Sequence, residues 1–161
     1  MQRPRLLRRQ WSLRLRRGLS GSACNIEHAV LTCDGFAPPA NVSILLPQKT
    51  NRAIPLKLRL RQGTTAVSDA NIPGGAAPVV DIAFTPGTGG TAVDVTDLLE
   101  PIGKSSDGNA FVYDPATGEW HLNLSTKPFT AAGTYVVTVT AGSSSYEVDP
   151  TCTAQFVRRG N

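Results

Sequence analysis

The most regular feature of the chain is an alternation of apolar and polar side chains with a period of two. From Ile54 to Arg61 the even positions are apolar, while Lys57, Arg59 and Arg61 occupy odd positions. This pattern predicts a β-strand with one buried face and one face in solvent. Pro55 lacks an amide hydrogen, so we expect the start of this strand at a sheet edge or a bulge.

Six further segments between residues 79 and 158 show the same alternation. They cover residues 79–84, 91–98, 110–113, 119–125, 133–141 and about 151–158. The positions expected to face inward are Val80, Ile82, Phe84, Val93, Val95, Trp120, Leu122, Leu124, Tyr135, Val137, Val139, Cys152, Ala154 and Phe156. About seven short strands at such spacings predict an all-β fold, an immunoglobulin-like antiparallel β-sandwich.

Turn residues separate these segments. Residues 114–118 (DPATG) lie between two of them and predict a hairpin that places His121 on the solvent face. The stretch containing Leu98, Leu99 and Ile102 fits a helical turn as well as a strand, and both alternatives stay open.

Composition supports the same fold class. The 161 residues leave room for one domain, and 15 Gly and 12 Pro favour short strands joined by turns. We expect residues 41–161 to form the sandwich. Residues 21–40 would be either a cysteine-flanked hairpin or the remnant of a preceding domain. Residues 1–20 would be a flexible basic arm.

The net charge of +4 comes from this arm. Seven of the sixteen basic residues lie in the first seventeen positions, which leaves nine basic against twelve acidic residues in the remainder. The overall basicity therefore says little about the folded part. Leu7, Trp11 and Leu15 are spaced by four, so the arm could instead be a basic amphipathic helix that contacts a membrane surface or nucleic acid.

The chain contains three cysteines, Cys24, Cys33 and Cys152. Cys24 and Cys33 flank a short apolar segment, so a disulfide between them could close a hairpin. The alternative is reduced thiols in a reducing compartment. Cys152 is expected on the core face, either free or paired with Cys24 or Cys33. With two histidines and no Cys-x-x-Cys pair, we expect no zinc site.

Catalysis requires groups that can meet, and the sequence offers few. His28 and His121 are the two histidines, one in the N-terminal segment and one on the expected solvent face. No nucleophile elbow, phosphate-binding loop or His-Glu-x-x-His motif is present in the sequence. Asp94, Asp97 and Glu100 match no calcium loop and are ordinary turn residues. We therefore expect no enzymatic activity, no cofactor and no metal.

The basic row formed by Lys57, Arg59 and Arg61 allows two interpretations. It could bind an anionic polymer. The favoured interpretation is that these long side chains solvate the outer face of the strand and discourage pairing at a sheet edge.

Four stretches carry short motifs in a recognisable order. They are residues 35–39 (GFAPP), 53–58 (AIPLKL), 111–120 (FVYDPATGEW), and 122–127 (LNLSTK) continuing to 132–135 (AGTY). In this they resemble PxKF domains, a family of repeated domains in large secreted or surface proteins of bacteria and archaea. Leu58 stands where the motif has Phe, and Tyr135 where many relatives carry a bridged cysteine. The resemblance implies a sandwich fold outside the cytoplasm and supplies no catalytic residues.

Several residues are expected to have structural roles. They are Pro55, Lys57, Tyr113, Trp120, Tyr135 and Phe156. Tyr135 follows a turn and resembles a tyrosine corner, in which the phenol bonds a nearby backbone group and stabilises the end of a sandwich.

Together these patterns predict a non-catalytic structural or binding module of a secreted or cell-surface protein, acting as a spacer, adhesion or accessory domain. Its partner would be an unidentified protein or glycan. The alternative is nucleic-acid or membrane-surface binding through the arginine-rich arm. No apolar stretch fits a membrane span or a signal peptide. The resemblance to PxKF domains implies a place at the tail of a longer exported protein, which would account for the missing signal. The oligomeric state is not predicted.

Overall fold

Two β-sheets enclose one hydrophobic core. The computed structural model describes residues 28–100, 102 and 108–160. The predicted arm of residues 1–20 and Cys24 lie outside this part of the chain. Within it, strands and turns dominate, and the predicted all-β class is confirmed.

The described chain contains eleven strands. They are β1 (Ala29–Phe36), β2 (Ile44–Leu46), β3 (Ala53–Gln62), β4 (Thr65–Val67), β5 (Val79–Pro86), β6 (Val93–Asp94), β7 (Val112–Asp114), β8 (Glu119–Ser125), β9 (Gly133–Thr140), β10 (Tyr146–Val148) and β11 (Thr153–Arg158). The first sheet has the order β10-β1-β3-β8-β7, with β4 also paired to β3. The second sheet has the order β2-β11-β9-β5-β6.

The buried faces of the longer strands follow the predicted alternation. Trp120, Leu122 and Leu124 on β8 are at most 1% exposed, and the even positions 54–60 of β3 are at most 2% exposed. Because successive side chains on a strand point to opposite faces, these positions form a continuous apolar layer between the sheets. The hairpin between β7 and β8 is also present, with Tyr113 paired to Trp120.

One predicted strand, 91–98, is wrong over most of its length. Only Val93–Asp94 pairs with β5, and Val93 is 51% exposed rather than inward. The chain then turns because the Asp94 carboxylate accepts a hydrogen bond from the Thr96 amide at 2.8 Å. A 3₁₀ turn follows at Thr96–Leu98. The helical alternative for this region is therefore the nearer description.

The first and last segments of the described chain run side by side in the same direction. Ala29 pairs with Tyr146 in the parallel β1–β10 pair, and Leu46 pairs with Arg158 in the parallel β2–β11 pair. The predicted purely antiparallel arrangement is therefore wrong for these two pairs. The sequence could not show this, because an alternating pattern of apolar and polar residues is the same for either strand direction. The described part of the chain therefore begins beside Tyr146 at one end of the two sheets and finishes beside Leu46 at the other.

The strand β1 also changes the predicted organisation of the chain. It pairs with β3 through Thr32 and Arg61, and with β10 on its other side. The first sheet therefore includes residues from the 21–40 segment, which the sequence set apart from the domain beginning at residue 41.

Tyr135 lies in an aromatic cluster at the end of the molecule where the chain leaves. Its ring stacks on Phe156 with centroids 4.7 Å apart and contacts Phe129 edge-on. Its hydroxyl donates a 2.9 Å hydrogen bond to the carbonyl of Ala131. This is the contact expected of a tyrosine corner.

Replacing Tyr135 by Phe should lower the free energy of unfolding by about 1 kcal/mol, because one hydrogen bond is lost while the ring packing stays. Urea unfolding measures the change. Tyr113→Phe is the matched control, since the described residues offer its hydroxyl no hydrogen bond. Equal losses in both variants would show that the Ala131 contact contributes nothing.

The burial of two tyrosine side chains makes the free energy of unfolding depend on pH in the alkaline range. Burial raises the pKa of Tyr135 and of Tyr146 above the usual value. Above about pH 10 these groups ionise in the unfolded chain before they do in the folded one. Stability should therefore be retained below about pH 10 and fall as pH rises further. Urea midpoints across this range test the effect, and Tyr146→Phe should make the fall shallower.

Candidate functional site

His121 is the one histidine that lies on a described strand. Its contacts show whether it is arranged as a catalytic base. Its Nε2 atom lies 3.3 Å from Glu119 Oε2 and 3.5 Å from Thr117 Oγ1. The Thr117 hydroxyl in turn donates to Asp114 at 3.1 Å. The sequence had placed His121 on the solvent face, and the structure has it part-buried on the outer side of the first sheet.

This arrangement differs from a nucleophile, base and carboxylate relay. Such a relay uses both ring nitrogens, one toward the nucleophile and the other toward the carboxylate. Here the hydroxyl and the carboxylate both approach Nε2 of His121. The contacts of His121 with Thr117 and Glu119 therefore serve to hold the β7–β8 turn against the sheet.

Two of the three basic side chains on the outer face of β3 are paired with acidic neighbours. Arg61 Nε lies 2.8 Å and 3.0 Å from the two carboxylate oxygens of Asp34, and Arg59 lies 3.5 Å from Glu119. The hydrogen bond from Arg61 lowers the pKa of Asp34 below its usual value. These exposed pairs are worth little in stability, but they place a carboxylate beside two of the three cations that an anionic polymer would contact. Lys57 makes no ion pair with any described residue.

Acidic side chains of the described loops bond to their own turns. The carboxylates of Asp94, Asp114 and Asp149 accept hydrogen bonds from groups two or three residues ahead. These hydrogen bonds lower the pKa of all three residues. Among the residues that the structure describes, no three His, Cys, Asp or Glu side chains group as metal ligands would.

The other residues singled out by sequence lie in the sandwich body. Pro55 sits where β3 has only β8 as a partner, since the β1 pairing begins at Leu58. Tyr113 is half-buried against the ring of Trp120, with centroids 5.2 Å apart. The Trp120 indole donates a 3.0 Å hydrogen bond to the Val67 carbonyl and so ties β4 to the core. Phe156 belongs to the aromatic cluster around Tyr135.

The disulfide proposed between Cys24 and Cys33 is wrong. Cys33 is bonded to Cys152, with Cα atoms 5.9 Å apart, a separation typical of disulfides. The reason is the parallel course of the two chain ends. The hydrogen bond from the Asp149 amide to the Leu31 carbonyl sets the C-terminal segment beside β1. Of the alternatives left open for Cys152, pairing with Cys33 is the one found.

Arg158 is a structural residue that the sequence reasoning missed. Its side chain is 2% exposed, and its NH2 group donates to the Thr126 carbonyl at 2.7 Å. The NH1 group donates to the carbonyl of Gln48 at 2.8 Å, with longer contacts to Pro47 and Thr50. The alternation of inward and outward positions could have predicted its burial, because Arg158 occupies the inward position two residues after Phe156.

An uncharged groove opens on the second sheet. It has a volume of about 260 Å³ and is lined by residues 40–43, Val136 and residues 153–155. It forms because β2 pairs with β11 only from Phe156 onward, so residues 40–43 diverge from the beginning of β11. Val42, at its rim, is 62% exposed.

Within residues 28–100, 102 and 108–160, no helix is long and apolar enough to cross a membrane. No protein-family model matches the chain, and no curated protein matches it either.

Proposed function

We propose that this chain folds as an immunoglobulin-like module and acts as a non-catalytic spacer in an exported protein. The observation that carries the proposal is the course of the chain, which enters beside Ala29 and leaves beyond Arg158 at the opposite end. A domain with this topology adds its full length to the chain in which it is placed.

The order of the strands supports the immunoglobulin-like assignment. In that fold one sheet has the order A-B-E-D and the other contains C, F and G. Here β1-β3-β8-β7 match the first set and β5-β9-β11 match the second. The tyrosine corner at Tyr135 begins β9, the counterpart of strand F. Two features differ, because the core tryptophan is on β8 and the disulfide joins Cys33 to Cys152.

The disulfide supports a location outside the cytoplasm, because structural disulfides persist in oxidising compartments and are rare in reducing ones. Protein taken from its natural source, quenched in acid and alkylated, tests this. We expect Cys33 and Cys152 to be modified only after reduction. Modification of both residues before reduction would contradict an oxidising location.

The spacer role is tested by the distance between the two ends of the module. Spin labels at Val30 and Arg159, both exposed, should be separated by about 30–35 Å. Residues 30–33 and 152–159 run in opposite directions away from the disulfide and advance by roughly 3.3 Å each. The distribution of distances should be narrow. A pair at Leu45 and Arg159 is the matched control and should be close, because the Arg159 amide bonds the Leu46 carbonyl at 3.0 Å.

A short or broad distribution for the first label pair would overturn the spacer proposal. A short distance would mean that the chain leaves where it enters. A broad one would mean that the module bends and cannot hold two neighbours at a set distance.

Contact with a protein or glycan partner is a second candidate role, favoured by the groove on the second sheet. Its lining carries no charge, and the apolar Val42 is exposed beside the polar Asn41 and Ser43. Wild-type protein screened against panels of proteins and glycans should show binding that Gln155→Arg abolishes. Thr88→Arg, in an exposed turn away from the groove, should leave binding unchanged. Binding that survives Gln155→Arg would place the contact elsewhere.

A further inference from the structure

The position of the disulfide has a mechanical consequence. Cys33 lies in β1, five residues after the first described residue, and Cys152 lies directly before β11, the last strand. The bond therefore joins the segment by which the chain enters to the segment by which it leaves. The residues between the two cysteines, which are separated by 119 positions in the sequence, form almost the whole sandwich.

Tension applied between the two chain ends follows the shortest covalent path. That path runs from residue 28 to Cys33, across the sulfur–sulfur bond, and from Cys152 to residue 160. Residues 34–151 lie outside it. The segments on the path are held in the parallel pairs β1–β10 and β2–β11, in which a pull at the ends acts along the strands and strains their hydrogen bonds together.

We propose that the Cys33–Cys152 disulfide makes this module an inextensible link, which transmits tension through its two terminal strands and protects the remaining strands from it. This inference rests on the proposed spacer role and adds to it that the spacer serves under force.

The change in length on unfolding distinguishes the two states of the bond. With the disulfide closed, the tensioned segments are already extended strands, so their detachment adds no more than about 20 Å. With the disulfide open, the 118 residues 34–151 join the path. At about 3.5 Å per residue they add roughly 400 Å.

Single-molecule force spectroscopy on the full chain, held at Met1 and Asn161, measures this length. A Cys24→Ser background removes the third thiol from exchange reactions. Oxidised protein should show no step near 400 Å, and adding dithiothreitol under tension should produce one. The two thiols of the reagent give up two electrons and two protons, which convert the disulfide to the thiols of Cys33 and Cys152.

A changed point of attachment provides the matched control. When the second handle is moved from Asn161 to the exposed Thr88, the 55 residues 34–88 enter the path even in oxidised protein. A step of up to about 190 Å is then expected, which shows that the sheets do unfold under the force applied.

A step near 400 Å in oxidised protein held at its ends would overturn the inference. If the spin-label distances remain long and narrow in that case, the spacer role stands and the protection by the disulfide fails. If the label distances themselves are short or broad, the spacer role fails first.

Discussion

Removing the Cys33–Cys152 disulfide should lower the free energy of unfolding by about 4–5 kcal/mol. The bond closes a loop with a sequence separation of 119 residues, and the restriction it places on the unfolded chain is worth about 5 kcal/mol in the chain-entropy description. Since domains of this size are stable by roughly 5–15 kcal/mol, much of the stability depends on it. Urea unfolding of Cys33→Ala/Cys152→Ala measures the loss.

Two comparisons distinguish the stability lost with the crosslink from the stability lost when the buried side chain of Cys152 is truncated. Wild-type protein measured with and without dithiothreitol changes only the bond, and it should reproduce the loss seen in the double variant. Cys24→Ser should unfold like wild type in the absence of reductant. A loss below about 1 kcal/mol on reduction would mean that the crosslink does not restrict the unfolded chain as expected.

Replacing Arg158 by Met should cost about 2–4 kcal/mol, although the substitution adds an apolar side chain to an apolar core. The buried Thr126 carbonyl loses its donor at 2.7 Å, which costs about 1–3 kcal/mol. The carbonyl of the exposed Gln48 loses a hydrogen bond of 2.8 Å, worth about 1 kcal/mol. The planar guanidinium reaches both sides at once, which an ammonium group cannot do. Arg158→Lys should therefore recover only about half of the loss.

The neighbouring Arg159 offers the matched control for this prediction. Its side chain is exposed, so Arg159→Met should change the free energy of unfolding by less than about 0.5 kcal/mol. Hydrogen exchange gives a second readout, because the loop of residues 47–50 is held to the core by Arg158. Its amides should exchange faster in Arg158→Met. Equal stability of the two methionine variants would show that the buried guanidinium is dispensable.

Local patterns predicted the longer strands well. The alternation around Trp120, Leu122 and Leu124 placed β8 at its observed bounds, because a strand with one buried face needs apolar residues at every second position. The same pattern failed at Val93, where the side chain of Asp94 bonds the backbone and ends the strand after two residues. Short strands such as β2 and β4 have too few residues to show a period.

The candidate sites were harder to predict because they depend on residues distant in sequence. His121 and Glu119 meet through the geometry of one strand. The pairing of Arg61 with Asp34, by contrast, exists because β1 lies beside β3. The groove at residues 40–43 arises from the point at which β2 joins β11. Neither the ion pair nor the groove has a signature in the local sequence.

The sequence by itself determined the all-β class, the buried faces of the main strands and the turn between β7 and β8, since each depends on residues within a few positions of one another. Only the tertiary structure decided that the two chain ends run parallel, that Cys33 pairs with Cys152 and that backbone carbonyls accept hydrogen bonds from both terminal nitrogens of Arg158. The physical reason is that side-chain alternation reports which face of a strand is buried but carries no information about the direction or identity of its neighbours.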